Sequence, residues 1–91
     1  MTIEREVVLV NKYGMHVRPA GALAKVCQKY ASDITVENAG NVVSGKSVLG
    51  LMTLEAPVGT PLKIVAKGDD ADLAVAEIEE LVRNHFGIAD E

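Results

Sequence analysis

Apolar residues return along this chain at two periods, and the switches between them divide it into strand-like and helix-like segments. Residues 4–10, rich in valine, read as a strand that closes on the turn residues Asn11-Lys12-Tyr13-Gly14. Ala20, Leu23, Ala24 and Cys27 then recur at helical spacing with Ala31 on the same row, which predicts a helix over 17–30. A second strand is expected over 34–37. The turn residues Asn38-Ala39-Gly40-Asn41 join it to a third over 42–44, as a hairpin. Residues 47–54 suit a short helix with Ser47 as N-cap and Val48, Leu51 and Met52 along one side, although Gly50 weakens it by about 1 kcal/mol relative to alanine.

Pro57, Gly59 and Pro61 mark a turn-rich connection into a fourth strand, in which Leu62, Ile64 and Ala66 alternate with Lys63, Val65 and Lys67. Asp70 offers an N-cap for a last helix whose stripe is Ala71, Ala74, Val75, Ile78, Leu81, Val82 and His85. Glu79 is placed to pair with Arg83, and Gly87 to cap the end. His85, on the stripe near a helix C-terminus, has a packing or capping role. The order β-α-β-β-α-β-α buries its helices against one face of a single sheet, so the fold class is α+β, a two-layer sandwich.

Composition narrows the function. Ninety-one residues with 48% hydrophobic content make one domain over 1–91, able to fold without metal or disulfide support. The single cysteine, Cys27, falls on the apolar row and reads as a buried small hydrophobe. Nine basic against thirteen acidic residues, a formal charge of −4 and two tyrosines with one phenylalanine argue against a nucleic-acid surface, so protein partners are expected. The apolar run Val7-Val8-Leu9-Val10 is too brief for a signal-peptide core or a membrane span, which points to a cytoplasmic protein. No histidine, cysteine or carboxylate group has metal-ligand spacing.

The candidate chemistry lies where the first helix begins. His16 occupies the predicted N-cap, with Arg18 two positions on and Pro19 in the first turn, where its missing N–H costs nothing. Backbone N–H groups at a helix head lack internal partners and carry partial positive charge, which stabilises a phosphate placed there. Arg18 adds a full charge and a planar fork of donors. A neutral ring nitrogen is the form that attacks phosphorus, and the same field would stabilise the anionic phosphorylated ring.

The string Gly14-Met15-His16-Val17-Arg18-Pro19-Ala20 closely resembles the active-site signature of the HPr family. These are the histidine-containing phosphocarriers of the bacterial phosphoenolpyruvate-dependent sugar phosphotransferase system. The likeness runs from about residue 7 to about residue 86 and includes a second motif, Lys46-Ser47-Val48-Leu49-Gly50-Leu51-Met52. It implies an open-faced sandwich with a four-stranded antiparallel sheet and three helices on one face, acting as a monomer without cofactor. It also implies that His16 is transiently phosphorylated on Nδ1 with Arg18 as its electrostatic partner, that enzyme I is the donor, and that IIA proteins are the acceptors. Ser47 then corresponds to the regulatory serine modified by the HPr kinase/phosphorylase, and a catabolite-control transcription factor is a further implied partner. Val17 departs from many members, which have a smaller residue after the histidine.

Val48, Leu49, Leu51 and Met52 outnumber what one short helix can bury in so small a core, and are expected to form a docking patch. The resemblance gives that patch to enzyme I, the IIA proteins and the kinase together. Gly40 to Ser47 also satisfies the Walker A pattern, but only a short hairpin strand precedes Gly45 and no acidic strand end follows to hold magnesium, so the match is taken as chance. A small acylphosphatase would need an arginine in a phosphate-cradling loop and a positioning asparagine; Arg18 and Asn11 can be forced into those roles, but Arg18 lies inside a helix start beside Pro19. A regulatory or nitrogen-related carrier with little sugar transport remains the alternative to a sugar carrier.

Overall fold

Alternation places Leu62, Ile64 and Ala66 on one side of β4 (Pro61–Lys67), and this strand becomes a central one of the sheet. The computed structural model describes residues 1–88; the last three residues of the domain expected over 1–91 lie outside them. Besides β4 there are β1 (Thr2–Val8), β2 (Asp33–Asn38) and β3 (Asn41–Ser44), in the order β1-β4-β2-β3 with every neighbouring pair antiparallel. Ala66 lies between Ile3 and Ile34, and Ile64 between Arg5 and Val36, so the inward rows of three strands align. The edges suit their positions. β1 carries Glu4, Arg5 and Glu6, and β3 has only four residues, both of which discourage further strand pairing.

The helices α1 (Val17–Gln28), α2 (Val48–Met52) and α3 (Ala71–Arg83) give the expected α+β open-faced sandwich. Leu23, Ala24 and Cys27 of α1 share one core with Ala74, Val75 and Ile78 of α3 and the inward row of β4. Full burial of a leucine or isoleucine side chain contributes about 1.5–3 kcal/mol, so this shared core is what holds the helices to the sheet. The β2–β3 hairpin turns through Ala39 and Gly40, both at positive φ (50° and 86°), as a two-residue connection of this hand requires.

Several boundaries differ from the pattern reading. β1 spans Thr2–Val8 and not 4–10, because Thr2 finds a partner in Lys67 at the far end of β4. Leu9 is still fully buried, held by its N–H on the Thr60 carbonyl (3.0 Å) and its carbonyl on the Gly59 N–H (2.7 Å). α1 stops at Gln28, and Ala31 is exposed because its N–H is drawn to the Asp70 carboxylate at 2.9 Å. Asp70 therefore precedes α3 without capping it by its side chain. His85 leaves the apolar stripe as well. The helix closes at Asn84, and Phe86, at φ 59°, turns into the core in its place. Arg83 pairs with Glu80, one residue from the expected Glu79.

Candidate functional site

The site is built from the loop between β1 and α1. Gly14 stands at φ 67°, and a Cβ there would lie 2.2 Å from the Ala56 carbonyl oxygen, so both the conformation and the close approach require glycine. Met15 follows with its side chain in the core and its N–H on that same Ala56 carbonyl at 2.8 Å. Buried Met15 and buried Pro19 thus anchor the chain on either side of His16.

His16 is the N-cap of α1 in extended backbone (φ −121°), and its carbonyl accepts the Ala20 N–H at 2.9 Å. Its side chain makes no capping bond. The ring is exposed and meets the Tyr13 ring edge-on, with centroids 5.8 Å apart and planes at 81°. The Lys12 ammonium sits 5.3 Å from the centre of the Tyr13 ring. Val17 and Arg18 are exposed in the first turn, so the imidazole, the guanidinium-bearing residue and the positive end of the helix dipole share one solvent-facing corner.

Ser47 lies elsewhere. Its Oγ accepts the Gly50 N–H at 2.9 Å, capping α2 as the sequence predicts. Gln28 Nε2 donates to the Lys46 carbonyl (2.9 Å) and Lys46 Nζ to the Tyr30 carbonyl (2.8 Å), which fastens the head of α2 to the tail of α1. The far end of α2 leads to Ala56 and the His16 loop. Ser47 thus lies at the end of α2 that is fastened to the tail of α1, whereas His16 stands at the head of α1.

The four apolar residues of α2 divide. Leu49 is 77% exposed and Met52 37%, Val48 is partly buried against the core, and Leu51 is 0% exposed. Leu51 is thus a core residue and drops out of the expected docking patch, because the face of α2 that carries it is the one turned toward the interior. The Walker-like segment holds no cradle for phosphate. Its lysine is engaged on Tyr30, and a Cβ on Gly45 would come within 3.0 Å of both Cys27 Sγ and an Ile34 methyl. Burial pushes the Cys27 thiol up to about 12, which keeps it protonated and inert. Among the described residues no cluster of histidine, cysteine and carboxylate groups could hold a metal ion, and no helix is long and apolar enough to cross a membrane.

Pattern reading names Asn11 only as a turn residue and as the asparagine of the acylphosphatase alternative, not as the support of the Gly14 carbonyl, and nothing local marks Ala56 as the partner of Met15.

Comparison with known proteins decides the family. The model for the PTS HPr component phosphorylation site matches residues 3–84. The chain belongs to the HPr family. It is 40% identical to the phosphocarrier protein HPr of Borreliella burgdorferi over 82 residues, covering 90% of this chain and 95% of that one. The phosphocarrier protein NPr of Shewanella violacea is 38% identical, with 92% of each chain covered. Among solved structures, HPr-C-His from Thermoanaerobacter tengcongensis superposes with a TM-score of 0.91 at 33% identity, covering 96% of this chain and 98% of that one. The chain is accordingly an HPr-type phosphocarrier of the phosphotransferase system, with the four-stranded sheet and three helices of that family's fold.

Proposed function

We propose that His16 is the residue that carries the phosphoryl group, taking it from phosphorylated enzyme I and passing it to a IIA protein. The observation that carries this reading is an N-cap histidine whose ring is exposed and makes no capping bond, at the head of the helix that bears Arg18. The Nδ1 lone pair forms the new P–N bond as the bond from phosphorus to the donor breaks, and the reverse exchange delivers the group to the acceptor. Arg18 and the helix head stabilise the charge on the transferred oxygens. No cofactor enters, and the carrier works in the cytoplasm as a monomer, one domain over 1–91.

Leu49 and Met52, with Val48 beside them, provide the apolar surface on which enzyme I, IIA proteins and the HPr kinase/phosphorylase dock. Ser47 is the regulatory phosphoacceptor next to that surface, and its modified form would be what a catabolite-control transcription factor recognises. A second reading, a nitrogen-related regulatory carrier, is favoured by the likeness to an NPr. The two readings differ in which acceptor proteins take the phosphate.

The deciding experiment is incubation with enzyme I and phosphoenolpyruvate. An acid-labile, base-stable adduct is expected on the wild type and not on His16→Ala. Full labelling of that variant would overturn the assignment, and transfer assays to sugar-specific and nitrogen-related IIA proteins would separate the two readings.

A further inference from the structure

The amide of Asn11 is an uncommon feature for the floor of a surface loop, being only 5% exposed. Its Nδ2 donates to the Gly14 carbonyl at 2.7 Å, and the Gly14 N–H donates back to the Asn11 carbonyl at 3.2 Å. The same Gly14 carbonyl accepts the His16 N–H, also at 3.2 Å. One oxygen is therefore shared between the Asn11 side chain and the histidine backbone. Gly14 is the residue of this loop with the widest backbone freedom, and Asn11 is the group that fixes which way its peptide points.

The other end of the amide is unmatched. Asn11 Oδ1 is buried and has no hydrogen-bond partner among the described residues. Reversing the amide would set two carbonyl oxygens against each other at Gly14, so its orientation is determined by that contact.

From this we infer that Asn11 is a positioning residue for phosphoryl transfer at His16, holding the Gly14 carbonyl and, through it, the N–H and ring of the histidine. The inference rests on the reading of His16 as the phosphoryl acceptor.

Asn11→Ala should lower kcat for phosphorylation by enzyme I roughly tenfold, as expected for a misplaced reacting group, with KM for the carrier unchanged because the docking residues of α2 are untouched. In 1H–15N spectra its His16 amide resonance should shift and its ring signals broaden. Asn11→Asp, of the same shape but with no donor at neutral pH, should behave alike. A third measurement needs no variant. In the wild type the Asn11 side-chain N–H protons should exchange slowly and change shift when His16 is phosphorylated. Wild-type kcat with an unmoved His16 amide in either variant, or a loss expressed wholly in KM, would overturn the proposal. So would fast exchange of the wild-type Asn11 amide protons, even if both variants failed to fold. A wild type that took no label would defeat the His16 reading, and the His16 amide shift and the exchange rates would still decide whether Asn11 fixes the loop.

Discussion

The heads of α1 and α2 begin alike and use their first residues in opposite ways. Ser47 spends its side chain on the helix, its Oγ accepting the Gly50 N–H. His16 holds the same cap position with extended backbone, yet its ring makes no capping bond and stays exposed. A five-residue helix needs its cap, whereas the twelve residues of α1 are held by a buried face that includes Leu23, Ala24 and Cys27, which frees its cap for chemistry. The head of α3 is a third case. The Asp70 carboxylate ignores its own helix and accepts the Ala31 N–H, the Ser32 N–H and the Ser32 hydroxyl.

The sharpest break of this contrast is His16→Ala, which should abolish labelling completely and leave the melting temperature nearly unchanged, since no cap bond is lost. A large fall in melting temperature would show that the ring supports the helix after all. Ser47→Asp comes next. Negative charge beside the surface that receives phosphorylated partners should cut the rate of His16 phosphorylation by about tenfold, the equivalent of roughly 1.4 kcal/mol in the transition state, with an unaltered circular-dichroism spectrum. Transfer at the wild-type rate in both the Asp variant and genuine phosphoserine protein would leave Ser47 as a cap only.

Arg18→Ala should slow transfer severalfold and change stability by less than about 0.5 kcal/mol, as expected for an exposed site. Kinetics and denaturant unfolding on one preparation would measure both quantities. Ser47→Ala reverses the pattern, losing about 1 kcal/mol of stability through the missing cap while phosphorylation by enzyme I proceeds at the normal rate.

The smallest effect concerns acid. Asp70 is held below the ordinary carboxylate range, first by the Ser32 hydroxyl and then by the Ala31 N–H. A depressed carboxylate contributes stability that is present above its unfolded value and is lost as pH falls through the folded one. Asp70→Asn should therefore melt lower than wild type at neutral pH, with the gap closing as the pH drops below the carboxylate range. A gap that stayed constant to low pH would show that charge at Asp70 is not what secures the α1–β2 connection.

Much of what depends on neighbours close in the chain was legible in the sequence by itself, although the Asp70 cap and the Glu79–Arg83 pair were not formed as the local pattern suggested. His16 and Ser47 as caps, Pro19 in the first turn, the Ala39-Gly40 hairpin and the alternation of β4 all follow from local backbone chemistry and side-chain period, and the structure places each where the pattern does. The tertiary structure alone decided what depends on residues brought from far along the chain. It buried Leu51 under a helix with more apolar residues than it can hide, sent the Asp70 carboxylate to a connection 38 residues away, and set Ala56 against Met15. The Asn11 amide became the floor of the histidine loop in the same way. The physical reason is that hydrophobic period names a face but not its neighbour, and a polar side chain takes whichever partner the packed fold leaves within reach.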